Sequence, residues 1–123
     1  MDSQEYRVAV ASSDGIVVNN HFGRARDFYI YQVDHTEQIH FQEKRSVIPV
    51  CDGGNHDDDK LEENIKKLQD CNYLLVSRIG GGAAAMAERY GIESYEIPGL
   101  IPDSIGQLTR YIKIKKLFED QKG

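Results

Sequence analysis

The sequence predicts one α/β domain, a mixed sheet of about five strands with helices on both faces. Three observations carry that reading. The first third of the chain reads as strands broken by turn-rich stretches, and the remainder alternates helix and strand patterns. The chain has 123 residues, 40% of them apolar, enough for one domain with a modest core.

Taken in order, residues 6–12 form a strand that ends at the Ser13-Asp14-Gly15 turn, and Ile16 to Val18 form a short second strand. The turn-rich stretch Asn19 to Gly23 follows. Residues 27–33 are apolar or aromatic on both faces, as in a central strand. Residues 38–47 alternate, with Ile39 and Phe41 on one side, and predict an antiparallel hairpin with 27–33. After a turn segment from Pro49 to His56, the spacing of Leu61, Ile65 and Leu68 predicts a helix over 58–70. It opens on Asp57 to Asp59, which suit a helix N-terminus, and carries Glu62–Lys66 and Glu63–Lys67 pairs. Then come a strand over 72–77, a helix over 81–90 closed by Gly91, and a strand over 93–97. Pro98-Gly99 reads as a turn. The last helix is predicted over 104–118, with Ser104-x-x-Gln107 as a capping box and Ile105, Leu108, Ile112, Leu117 and Phe118 as its apolar face. Helix–strand alternation in the second half implies parallel strands joined by right-handed crossovers.

Composition narrows the function. Net charge is −5, from 20 acidic and 15 basic residues, and no basic cluster dominates, which argues against nucleic-acid binding. No apolar run approaches the roughly 18–20 residues that span a bilayer. The polar N-terminus leads straight into a strand pattern and shows no signal peptide, so the expected location is the cytoplasm, with Cys51 and Cys71 as thiols. Charge is uneven: acidic residues crowd 57–63, whereas Arg24, Arg26 and Arg78 sit near glycines and can form a local positive pocket.

Three segments have the residue types for chemistry. Val76 to Met86 reads as a strand end, three glycines and a helix opening whose free N–H groups and dipole suit an anion. It lacks both G-x-G-x-x-G and a Gly-Lys-Ser/Thr sequence, so a nucleotide-binding P-loop is excluded. The competing structural reading is that the glycines let the helix approach the sheet closely. His21-Phe22-Gly23-Arg24-Ala25 offers an imidazole and a guanidinium, or simply a turn. Cys51-Asp52-Gly53-Gly54-Asn55-His56 places a thiol and an imidazole where both can reach one metal, but a four-ligand zinc site lacks its second pair. Cys71 and Met86 read as core residues. With two cysteines, one chain cannot build a cluster site with four cysteine ligands. A metal-dependent nuclease is disfavoured because the first strand carries no carboxylate between Arg7 and Ser12.

Val8 to Ser12, His21 to Ala25, Phe28 to Val33, Cys51 to Asp58, Asp70-Cys71, Val76 to Met86 and Tyr90-Gly91-Ile92, in this order, carry a resemblance that spans nearly the whole chain. The chain resembles the dinitrogenase iron–molybdenum cofactor biosynthesis family, which includes NifX-type carriers and the C-terminal domain of NifB. The resemblance implies a ribonuclease-H-like fold and a non-enzymatic role: transient binding of an iron–sulfur cluster or iron–molybdenum cofactor precursor in nitrogen fixation. It implies cofactor-biosynthesis or nitrogenase proteins as partners. His21 carries over as the foremost ligand, with Arg24, Gly80, Gly81 and Gly82 lining the site and Cys51 and His56 as further metal ligands. The triple-cysteine motif of the radical-chemistry domain is absent, so that synthesis is not expected of this chain. The alternatives are an interaction or regulatory module without a cluster, and a mononuclear zinc protein using Cys51, His56 and His21.

Overall fold

The computed structural model describes residues 5–49 and 58–122. Strands β1 (Tyr6–Ala11), β3 (Asp27–Val33), β4 (Ile39–Ser46), β5 (Tyr73–Val76) and β6 (Glu93–Glu96) make a mixed sheet in the order β4-β3-β1-β5-β6. The β4-β3-β1 half is antiparallel, and β5 and β6 run parallel to β1. Helices α1 (Asp58–Lys66) and α2 (Gly81–Arg89) supply the crossovers that precede and follow β5, and α3 (Ile101–Lys122) crosses the other face. The expected five-stranded mixed sheet is therefore observed.

Side-chain alternation builds two cores from the same strands. Ala9 and Ala11 of β1, Phe28 and Ile30 of β3, and Leu74 and Val76 of β5 pack with Ile65, Leu68 and Ala87 on one face. Val8, Val10, Val33 and Leu75 face the other way, onto Ile101, Ile105, Leu108 and Ile112 of α3. Edge strand β4 is largely exposed. Glu43 opposes Ile30 while Phe41 opposes Tyr31, so Gln42 is the extra residue of a β-bulge, which discourages edge-to-edge pairing. Phe41 does lie on the same side as Ile39 as expected, meeting Tyr31 edge-on with ring centroids 5.5 Å apart, but it remains 56% exposed.

Several boundaries differ from expectation. Helix α1 stops at Lys66 rather than residue 70, because Leu68, Gln69 and Cys71 N–H groups turn back on the carbonyls three residues earlier. The Arg45 guanidinium also takes the Lys67 carbonyl at 2.7 Å. Gly99–Leu100 forms a short strand, β7, paired with β2 (Val17–Val18), where only a turn was expected. Helix α3 begins at Ile101, directly after β7, its first N–H fixed on the Ile16 carbonyl at 2.9 Å. Ser104 is therefore inside the helix and the capping box does not form; its hydroxyl is fully buried with no hydrogen-bond partner among the described residues. Leu117 and Phe118, expected on the apolar face, are 61% and 62% exposed, because α3 outlasts the sheet.

Two consequences for stability follow. Ser104→Ala removes an unsatisfied buried hydroxyl and improves helix propensity, so it is expected to stabilise the fold by about 1–2 kcal/mol. Urea denaturation checks this, and a loss of stability would show that the hydroxyl is bonded after all.

The second consequence concerns Asp70, which accepts both nitrogens of Arg45 at 2.7 and 2.8 Å and Arg7 at 2.8 Å. These guanidinium bonds, Arg45 first, hold its carboxyl at about 2, below the ordinary 3.8. A depressed folded value means stability that is present above pH 3.8 and lost as pH falls toward 2. Asp70→Asn should thus be less stable than wild type at pH 7, with the gap closing between about pH 4 and 2. Urea midpoints across that range test it, and a pH-independent gap would refute it.

Candidate functional site

The parallel strands β1, β5 and β6 end on one side of the sheet, where the loops that follow them gather. Hydrogen bonds extend the sheet past those ends. Asn20 N–H reaches the Ala11 carbonyl at 3.4 Å, Ser77 N–H the Asn20 carbonyl at 3.0 Å, and Phe22 N–H the Arg78 carbonyl at 2.9 Å. His21 and Arg78 form a parallel bridge. The segment that carries His21 is thereby tied to the one that leads into Gly80.

Phe22 anchors this loop. Its ring is 3% exposed and packs on Phe28, with centroids 5.7 Å apart at 47°. A single 3-10 turn over Phe22–Arg24 follows, and Arg24 N–H donates to the His21 carbonyl at 3.1 Å. With Phe22 turned inward, His21 and Arg24 remain exposed. Arg24, Arg26 and Arg78 are all exposed and have no ion-pair partner among the described residues. On a chain of net charge −5 they make this end locally cationic.

Helix α2 adds a second source of positive potential. Gly80 is its N-cap in extended conformation (φ −72°, ψ 155°), and no side chain caps it. Gly80 accepts from Ala84 N–H at 3.0 Å, which leaves the first-turn N–H groups of Gly81, Gly82 and Ala83 without intrahelical acceptors. A Cβ built on Gly80, Gly81 or Gly82 meets nothing within 4 Å, and none of the three has a positive φ. Neither close helix–sheet packing nor backbone strain explains them, which overturns the structural reading of these glycines. What they leave is a helix start with no side-chain cap, whose first-turn amides have no intrahelical acceptor.

Glu96 holds the approach to the helix. Its Oε2 accepts the Ile79 N–H at 2.9 Å.

His21 and Arg24 thus belong to a loop joined by the His21–Arg78 bridge to the segment that leads through Gly80 into Gly81 and Gly82 at the start of α2. Cys51 and His56 lie outside the described residues. Cys71 lies before the start of β5, at the opposite end of that strand from Arg78, and is 3% exposed. Burial, reinforced by the neighbouring Asp70 charge, pushes its thiol up to about 12, so it supplies no thiolate near neutral pH. Among the described residues no three His, Cys, Asp or Glu side chains come together to hold a metal ion. A cleft lined by Asn72, Tyr73, Glu88, Gly91, Ile92 and Glu93 lies at the far end of β5 and β6, and its carboxylates make it a poor anion site. No described helix is long and apolar enough to cross a membrane. Glu96 emerges from the structure alone and carries no signal in the sequence, whereas Arg78 stands there beside Arg24 and Arg26 as part of an expected local positive pocket.

Fold and site define a small mixed α/β domain with a cationic, amide-lined end beyond its parallel strands. The profile of the family described as Dinitrogenase iron-molybdenum cofactor matches residues 4–110, and the chain belongs to that family. It is similar to the FeMo cofactor biosynthesis protein NifB of Frankia alni, 36% identical over 104 residues, covering 82% of this chain and 20% of that protein. It is also similar to Protein NifX of Sinorhizobium fredii, 30% identical over 113 residues, 87% of this chain and 70% of that one. The chain therefore spans about a fifth of the NifB relative and most of the NifX relative. An NMR structure of a putative NifB protein from Thermotoga shares the fold, with a TM-score of 0.55 and 20% identity over 85% of this chain and 88% of that one.

Proposed function

We propose that this chain serves iron–molybdenum cofactor biosynthesis as a carrier, holding an iron–sulfur precursor or the iron–molybdenum-type cluster in transit between cofactor-biosynthesis or nitrogenase proteins. The observation that carries the reading is the His21–Arg78 bridge, which ties an exposed imidazole and two guanidinium groups, without an ion-pair partner among the described residues, to the start of α2. Such clusters are anionic and bring their own sulfide ligands, so they need few from the protein. One imidazole can supply a metal bond, while Arg24, Arg78 and the amides of Gly81 and Gly82 balance charge and donate hydrogen bonds to the sulfide surface. A hold with so few soft ligands favours release to an acceptor. The role is non-enzymatic, in the cytoplasm, on a ribonuclease-H-like scaffold, a description supported by the strand order.

Anaerobic titration with a small-thiol-ligated iron–sulfur cluster, read by visible absorption and metal analysis, tests this. Arg24→Gln/Arg78→Gln should raise Kd by about tenfold or more at low salt, with a smaller effect as ionic strength rises. An unchanged Kd would remove the arginines from the site. No binding by the wild type would overturn the carrier reading in favour of an interaction module, to which the exposed Ile114, Leu117 and Phe118 of α3 lend support.

A further inference from the structure

The turn from β5 into α2 contains Gly80 and leads directly into Gly81 and Gly82, residues whose side chains can contribute no packing. Something else must keep the amides of that turn in place. Ile79 helps, its side chain resting half-buried against the core shared by α1 and α2. The backbone restraint comes from the neighbouring strand. Glu96 is the last residue of β6, in register with Val76, and the pairing continues one step further as Ile97 N–H donates to the Val76 carbonyl at 3.1 Å. From that fixed strand end the Glu96 carboxylate crosses to the Ile79 N–H at 2.9 Å. Among the described residues no Lys, Arg or His forms an ion pair with Glu96. Its acceptor capacity is directed at the backbone.

A carboxylate beside an anion-receiving end is electrostatically unfavourable for an anionic cargo. Its presence there calls for a compensating role. We propose that Glu96 is a positioning residue: it fixes the Arg78–Gly80 turn, and through it the direction of the α2 amides and of Arg78, at the cost of some repulsion toward the cargo. The inference rests on the anion-carrier reading for its effect on cargo, but not for its effect on the turn.

Position and charge predict opposite signs, and two variants separate them. Glu96→Ala removes both acceptor and charge; Glu96→Gln removes the charge and keeps a carbonyl acceptor. If Glu96 positions the turn, Glu96→Ala speeds hydrogen exchange of the Ile79 amide and weakens binding of a small-thiol-ligated iron–sulfur cluster by about 3- to 10-fold, the range of one lost hydrogen bond. Glu96→Gln then keeps Ile79 protected and binds the cluster at least as tightly as wild type, more so at low salt. A purely electrostatic role makes both variants bind tighter, and that result overturns the proposal. Unchanged Ile79 exchange in Glu96→Ala overturns it as well. Failure of the wild type to bind the cluster refutes the carrier reading separately, leaving the Ile79 exchange rates to decide the role of Glu96 in the turn.

Discussion

His21→Ala is expected to weaken capture of an iron–sulfur cluster by about tenfold or more, whereas Cys71→Ala leaves it within about twofold. The imidazole is exposed and does not cap its 3-10 turn, and among the described residues no side-chain hydrogen bond engages its ring nitrogens. Its removal should cost little stability, because exposed side chains away from special features contribute within roughly 0.5 kcal/mol. Cys71 behaves in the reverse way. It is packed in the α1/α2 core with a thiol raised to about 12, so Cys71→Ala should lower stability by about 1 kcal/mol and leave the cargo untouched. Parallel anaerobic titrations and urea melts separate the two effects. Equal Kd for wild type and His21→Ala would take the histidine out of the site.

The largest effect on folding is expected from Phe22→Ala, about 3–5 kcal/mol, with a fall in Tm on the order of 10–20 °C. Phe22 is buried against Phe28, and its own N–H holds the Arg78 carbonyl. The ring therefore serves both the core and the loop that presents His21. Phe22→Leu, which refills most of the volume, should recover most of the stability. Thermal melts of both variants decide the matter, and a Phe22→Ala loss under 1 kcal/mol would mean that the ring does not anchor the loop.

Long periodic segments were legible in sequence. Residues 6–12 and 27–33 read as strands from their apolar and aromatic runs, and the structure divides their side chains between the two cores. Boundaries set by tertiary hydrogen bonds were not. The early start of α3 depends on the Ile16 carbonyl, and the early end of α1 is stabilised by Arg45; neither partner is a sequence neighbour. Ser104 illustrates the hazard, since a sequence pattern that satisfies a cap lies inside a helix that began three residues earlier. For the site, the His-Phe-Gly-Arg and Ile-Gly-Gly-Gly elements were visible as separate motifs. Their union depends on the His21–Arg78 bridge, between positions far apart in the chain. Glu96 was invisible because its role is a side-chain contact to another loop's backbone.

The open space around Gly80, Gly81 and Gly82 has a practical consequence for engineering. Glycine is a poorer helix former than alanine, so even at the first two helical positions, Gly81 and Gly82, this protein forgoes some stability that a methyl group would supply without a clash. At those two positions alanine can be introduced without a clash at Cβ, so the fold is expected to be maintained. Any change in cargo affinity across such a series then reports the footprint of the cargo itself, uncontaminated by unfolding. Few binding sites allow that separation, because the residues that touch a ligand usually also hold their own scaffold together.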